Sequence, residues 1–353
     1  MTRIISEGFE QADNEGLQSS TLWNNWRPTG ELPHIIWGPL VTSGWAYPMV
    51  PRTGRGMASL YANQFYGKDF GAGSFPTELY VGVAFSTGAW GNFDFIRAYT
   101  DDAGVWSNNI SIRCQNTGIV QAVRSNTVIA SSSAGAVTLN TWNYMEVWFK
   151  PLDSGGRVVV KVDGSTVIDF TGDTTAEEEW INAILFGGIS NSTSLRTFVD
   201  DIVVNSSDGS YNNTWPGQVR LLPIRPYDAG NYSQWDRGGV DLGNDAAQVR
   251  NGYDFSMMQT DVADEYQTFV PDIPDLPVGA TISNIIVLTK GKVEAGSGVV
   301  APMIRQNGVD DIGDDFTLST GWLWTEETYP INPDTTSAWV EADLADLEIG
   351  FSS

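Results

Sequence analysis

A chain of 353 residues with 14 Trp, 12 Tyr, 15 Phe and 37 Gly holds too much core-forming material for a disordered polymer, and its length suits about two domains. Asp and Glu total 43 against 19 for Lys and Arg, and the resulting net charge of -24 repels phosphate backbones and anionic lipid heads, which argues against nucleic acid and membrane partners. A single cysteine, Cys114, rules out an intrachain disulfide, and a single histidine, His34, rules out a multi-histidine metal site.

The first residues, Met1 to Glu7, place an acid where a secretory signal needs an apolar core, so the expectation is synthesis without such a signal. Residues 23–47 hold Trp23, Trp26, Trp37, Trp45 and Tyr47 among Gly and Pro. They read as an irregular arm whose rings either cover a core or subunit interface or stack on sugar. Strand signals follow. Residues 78–85 and 143–150 are rich in β-branched and aromatic residues, and further strands are expected at 92–98, 111–115, 118–124, 183–188 and 196–205. Between residues 157–162 and 165–170 stands Asp163-Gly164, the pair that a two-residue type I′ hairpin requires. Residues 174–181 have the capping Thr and the glutamates of a one- or two-turn helix, although a solvated loop fits equally.

Composition changes after Trp215. Residues 1–215 contain 12 basic and 21 acidic residues, whereas residues 216–353 contain 7 and 22. The turn-forming run at 206–219 is read as a linker. It divides a first domain, 1–205, from a second at 220–353, where residues 280–290, 297–306 and 266–270 are predicted strands. Three prolines, at 271, 274 and 277, predict an extended loop. Both domains are therefore expected to be all-β.

The residues Glu7-Gly-Phe-Glu10 with Trp23 and Trp26, Trp142-Asn-Tyr-Met-Glu-Val-Trp148, residues 158–164, and Phe198-Val-Asp-Asp-Ile-Val-Val-Asn205 resemble the concanavalin-A-like lectin/glucanase jelly roll. More narrowly, they resemble the version carried by structural proteins of tailed bacteriophages. There the strand is followed by a segment like Asn213-Thr-Trp-Pro-Gly217, and a second module opens with Arg220-Leu-Leu-Pro223 and Tyr232-Ser-Gln-Trp235 and closes on the pattern from Trp339 to Gly350. The resemblance implies a jelly-roll sandwich followed by a smaller β domain. It further implies a non-enzymatic virion component, a tail protein or capsid decoration, located on the virion and acting as a homo-oligomer through other virion proteins. A carbohydrate-binding module for a host-surface polysaccharide is the alternative.

Catalytic signals are weak. Glu341-Ala-Asp-Leu-Ala-Asp-Leu-Glu348 departs from the Glu-x-Asp-x-x-Glu strand that places two carboxylates on one face in glycoside hydrolases of this fold. Glu146 is a lone carboxylate between Trp142 and Trp148, expected to face solvent. Asp200-Asp201 should send one side chain to each face of its strand, and Asp310-Asp-Ile-Gly-Asp-Asp315 lacks the spacing of a calcium loop. Cys114 is read as a small buried hydrophobe and His34 as a packed residue. No catalytic, metal or cofactor-binding residue is assigned. The candidates for interface or glycan contact remain Trp23, Trp26, Trp37, Trp45 and Tyr47.

Overall fold

The computed structural model describes residues 3–7, 34–37, 52, 56–61, 65–70, 75–87, 93–102, 105–115, 117–138, 140–176, 178–190, 196–250 and 256–353. Nearly every described element is a strand, and none of the described helices is long and apolar enough to cross a membrane. The chain divides into two compact units, with the boundary between Leu221 and Leu222.

The first unit contains β1 (Arg3–Glu7), β2 (His34–Trp37), β3 (Gly56–Tyr61), β4 (Phe65–Asp69), β5 (Leu79–Thr87), β6 (Phe93–Asp102) and β7 (Val105–Cys114). It continues with β8 (Val120–Arg124), β9 (Thr127–Ser131), β10 (Asn143–Lys150), β11 (Gly156–Val162), β12 (Ser165–Gly172), β13 (Ala183–Ser190) and β14 (Arg196–Ser206). Two antiparallel sheets result. One has the order β12-β11-β10-β5-β14-β3-β2 with β1 also on β14, and the other β4-β13-β6-β7-β8-β9. Period-two alternation sends Val81, Val83, Phe85, Met145, Val147 and Phe149 of the first sheet inward, to meet Phe95, Ile96, Ile112 and Phe186 of the second. Phe85 and Phe95 touch across the layers with ring centroids 4.6 Å apart. This is the jelly-roll-like sandwich expected from sequence, and its closest packing is aromatic.

The hairpin between β11 and β12 turns on Asp163 and Gly164, both with positive φ (48° and 80°), as a type I′ turn demands. One local reading is resolved and one corrected. Residues 174–181 form no helix among the described residues, because Thr174 and Thr175 are buried and turn their hydroxyls onto the carbonyls of Lys150 and Glu178 instead of capping. The supposed arm contains β2, which pairs His34–Trp37 with Gly56–Ser59 on β3 as the edge of the larger sheet, so this part is regular backbone. Trp23, Trp26, Trp45 and Tyr47 lie outside the described residues.

The second unit contains β15 (Arg225–Ser233), β16 (Asp236–Gly239), α1 (Asp245–Arg250), β17 (Ser256–Gln259), β18 (Tyr266–Asp272), β19 (Ile285–Gly291) and β20 (Gly298–Gln306). After these come β21 (Val309–Ile312), β22 (Phe316–Leu318), β23 (Leu323–Tyr329), a 3-10 turn at Glu341–Asp346, and β24 (Leu347–Ser352). A sheet of order β15-β18-β24-β20-β21, with β22 on β20, is joined by the pairs β16-β17 and β19-β23. Its core gathers Ile285, Val287, Ile304, Tyr329, Trp339, Leu344 and Leu347. The two large polar-tipped rings are satisfied there: Tyr329 donates its hydroxyl to the Pro302 carbonyl at 2.7 Å, and Trp339 Nε1 donates to the Tyr329 carbonyl at 2.9 Å. Helix α1 was not foreseen. It is only six residues long, and Asn244 caps it by accepting the Ala247 N–H at 2.7 Å.

Candidate functional site

Strand β6 carries Asp94 and Arg97, which on a regular strand would face opposite sides. A bulge between Asp94 and Ile96 adds the residue that brings both onto the outer face of the six-stranded sheet, while Phe95 and Ile96 stay in the core. Arg97 Nη2 then donates to Asp94 Oδ2 at 3.0 Å, and Nη1 donates to the Tyr99 hydroxyl at 3.0 Å. Across the ladder Arg113 of β7 stands opposite Asp94 and donates Nε to its other carboxylate oxygen at 2.6 Å. Gln121 of β8 is opposite Arg113, and its amide continues the polar row by accepting from Gln115 at 2.7 Å and donating to Ser131 at 3.1 Å. On the other flank Tyr99 packs with Ala183 and Leu185 of β13.

Charge is unbalanced here. Two guanidinium groups share one carboxylate, so among the described residues the cluster has an excess positive charge within a strongly acidic chain. Its members differ in access: the Arg97 side chain is 10% exposed, whereas that of Arg113 is 24% exposed and, among the described residues, is engaged through its Nε. Arg97 Nε and the Oγ of Ser111, the residue opposite Arg97, are buried without a hydrogen-bond partner. Buried polar atoms of this kind are ordinarily satisfied, so the row has unused donor capacity beside a half-open cation. It suits a carboxylate or another small anion.

The outer face of the larger sheet is covered over β14, β5 and β10. Residues 206–219, expected as a linker, belong to the first unit, where they lie across β14, β5 and β10. Asn205 Nδ2 donates to the Thr214 carbonyl at 2.8 Å, and Gly217 N–H donates to Glu146 Oε1 at 3.0 Å. Gly82 makes room for this strap, since a Cβ there would meet Pro216 and the Tyr144 hydroxyl. Glu146 is therefore not a solvent-facing acid: it is only 4% exposed, and burial pushes its carboxyl upward against the opposing pull of Lys161 and the Gly217 N–H. Tyr80 and Trp148 stack with centroids 5.7 Å apart, and Trp215 meets Tyr80 edge-on. Arg157 lies over the Trp148 ring and Lys161 over the Trp215 ring, at 5.1 and 3.6 Å. Those ring faces are occupied by the protein's own cations, which makes this surface a clamp and not a sugar platform.

The remaining sequence candidates are placed as follows. Trp37 closes β2 opposite Gly56. Asp200 and Asp201 are both fully buried at a bulge in β14 and both turn to the strap side, not one to each face, where they hold Arg52 and the end of the strap. Glu341 is exposed on the 3-10 turn while Glu348 is buried against Asn231 and Thr268, so that run puts no carboxylate pair on one strand face. Asp310 is engaged by Arg305 at 2.5 Å and by the Tyr232 hydroxyl at 2.8 Å. No group of three His, Cys, Asp or Glu suited to a metal occurs among the described residues. Asp94, Arg97, Tyr99, Ser111 and Arg113 all fall within β6 and β7, and sequence reasoning passed over them. The available signal was charge embedded in apolar strands, as in Phe93-Asp-Phe-Ile-Arg-Ala-Tyr99.

No family model and no curated protein matches this chain. Solved structures do. An endo-β-1,4-glucuronan lyase from the fungus Trichoderma reesei is similar over 58% of this chain and 96% of its own, with 13% identity and a TM-score of 0.39. The alginate lyase Aly36B is similar over 54% of this chain and 98% of its own, with 16% identity and a TM-score of 0.32. The receptor-binding domain of a botulinum neurotoxin C/D mosaic serotype is similar over 59% and 49%, with 9% identity and a TM-score of 0.37. The expectation that this chain is not an enzyme is withdrawn in the face of these neighbours, since two of the three named are polysaccharide lyases. The all-β sandwich itself stands on the chain's own sheet topology.

Proposed function

We propose that the first unit binds an acidic polysaccharide, a uronate-bearing chain, on the outer face of its six-stranded sheet. The observation that carries this reading is the Asp94–Arg97–Arg113 cluster, in which two guanidiniums share one carboxylate and the Arg113 edge opens to solvent. A sugar carboxylate accepts two parallel N–H bonds from a guanidinium, while the half-buried amides of Gln115 and Gln121 offer the neutral hydrogen bonds that sugar hydroxyls take. The overall charge opposes such a ligand less than it opposes DNA, which carries one charge per roughly 1.7 Å where a uronate chain carries one per sugar. The sequence segments that resemble tailed-phage virion proteins support a setting at a host surface, with other virion proteins and further copies of the chain as partners. That placement rests on the sequence segments alone.

The test is retention of the purified chain by polygalacturonate, alginate and glucuronan against neutral dextran. The same mixtures are followed for the ultraviolet absorbance of unsaturated uronate, so that cleavage is read beside binding. Retention by the acidic polymers, weakened by about tenfold in Arg113→Gln through loss of one charge-assisted contact, supports the reading. Equal retention of Arg113→Gln, or equal retention on dextran, overturns it.

A further inference from the structure

On the outer face of the six-stranded sheet, residues of four successive strands stand opposite one another: Asp94 of β6, Arg113 of β7, Gln121 of β8 and Ser131 of β9. Partners in an antiparallel ladder share a face, so the register draws them into one row across the strands. Neighbouring strands are about 4.8 Å apart, close to the rise of one sugar in an extended chain. Access increases along the row. The Asp94 side chain is 11% exposed and that of Arg113 24%, Gln121 is half-buried, and Ser131 is exposed on the edge strand. A bulge after Ala122 pairs Val123 with Val128, which brings Val128, 42% exposed, onto the same face beside the row.

The chemistry changes in the same direction. Arg113 is a cation, whereas Gln121 and Ser131 are neutral. Gln121 accepts from Gln115 at 2.7 Å and donates to Ser131 Oγ at 3.1 Å. An amide nitrogen carries two hydrogens and a hydroxyl both donates and accepts, so among the described residues Gln121 keeps one N–H, and Ser131 its O–H, for a ligand. At the inner end stands the Asp94 carboxylate, which repels a second carboxylate laid over it.

We propose that this row reads three consecutive sugars: a uronate on Arg113, then two neutral sugars laid over Gln121 and Ser131 toward the β9 edge. Hydroxyls of the second and third sugars take the neutral hydrogen bonds, and Val128 meets their C–H faces. The preferred ligand is therefore a polysaccharide whose uronates are followed by neutral sugars, ahead of a chain charged at every sugar. That a uronate is bound at all rests on the reading given for the first unit; the length, direction and charge pattern rest on the row.

The experiment titrates the full chain calorimetrically with glucuronate, glucuronosyl-xylobiose, trigalacturonate and xylotriose, in wild type, Arg113→Gln, Gln121→Leu and Ser131→Ala. Thermal midpoints establish that each variant is folded, and Ser131, exposed on an edge strand, tests the row independently of Gln121. The expected order is glucuronosyl-xylobiose tightest, then trigalacturonate, then glucuronate. Gln121→Leu and Ser131→Ala should each weaken the xylobiose conjugate about fivefold, the loss of a neutral hydrogen bond, and leave glucuronate unchanged. Glucuronate and its conjugate binding alike in every variant would overturn the row while Arg113 remains a uronate site. So would an equal loss for both ligands in the folded Gln121 or Ser131 variant, or trigalacturonate binding tightest. No binding of any uronate, or xylotriose binding as tightly as the conjugate, would remove the row and the first-unit reading together.

Discussion

Arg52 and Asp201 are 149 positions apart in sequence and 2.5 Å apart in space. Their pair fastens the end of the strap to the sandwich. Arg52 Nη1 also donates to the Val219 carbonyl at 2.7 Å, Asp201 Oδ1 accepts the Leu221 N–H at 2.8 Å, and the guanidinium lies over the Tyr144 ring. Asp201 is fully buried with φ of 49°, a backbone conformation held by the bulge in β14. Removing one member of a buried ion pair leaves an uncompensated charge, so Asp201→Ala should lower unfolding stability by about 3–5 kcal/mol. Asp201→Asn tolerates the positive φ and keeps an acceptor, so it should lose less. Urea denaturation of the two variants checks the order.

The same contacts revise where the first unit ends. A chain stopped near residue 207 lacks the Val219 carbonyl, the Leu221 N–H and the Gly217 N–H that satisfy Arg52, Asp201 and Glu146. It should unfold at clearly lower urea than a chain stopped at residue 221. Equal midpoints would show that the strap contributes nothing to the sandwich.

Glu146 gives that strap a pH signature. Burial raises its carboxyl above the ordinary carboxylate range, so between the unfolded and folded values the native state binds the proton that the unfolded state has released. The stability contributed by the neutral form is therefore present at low pH and lost as pH rises through the raised folded value. Glu146→Gln keeps an oxygen for the Gly217 N–H and removes the titration. The variant should be at least as stable as wild type near neutrality, with a flatter melting profile through this window. A profile parallel to wild type would mean that Glu146 titrates normally.

The sandwich was legible because its strands announce themselves locally: the β-branched and aromatic segments at 143–150 and 157–162 became β10 and β11, and Asp163-Gly164 turned where it had to. The strap was not legible, because Asn213-Thr-Trp-Pro-Gly217 has the composition of a linker whether or not a sheet lies beneath it. What fixes it is long-range, in Arg52, Glu146 and Asp201. The candidate site was hidden for a different reason. Asp94 and Arg97 share a face only through a bulge, and a bulge inserts its extra residue without changing the apolar pattern around it. Alternation alone places them on opposite sides.

Cys114 lies directly inside this sheet, opposite Phe93, and is fully buried. Burial first, and then the Asp94 carboxylate, pushes its thiol up to about 12. The native protein should therefore resist iodoacetamide at mildly alkaline pH and take up one equivalent only in denaturant. Because the folded value exceeds the unfolded one, stability should also fall as pH rises from the ordinary thiol range toward about 12. Rapid alkylation of folded protein would show that this part of the core opens.

Asp94 separates a structural cluster from a binding one. Its carboxylate is the single described counterion of Arg97 and Arg113, and it is 11% exposed. Asp94→Asn leaves both guanidiniums short of an anion, so the free protein should lose about 3–5 kcal/mol, as for other broken buried pairs. If the cluster serves only the fold, the loss stands whatever is added. If Arg113 is there to take a ligand carboxylate, that anion replaces Asp94 in part. The variant should then gain more thermal stability from saturating oligogalacturonate than wild type gains, since a ligand stabilises the state that binds it in proportion to affinity. Neutral dextran fragments should give no such gain. A lowered midpoint in Asp94→Asn that no uronate restores would mark the two arginines as part of the scaffold and remove them from the binding face.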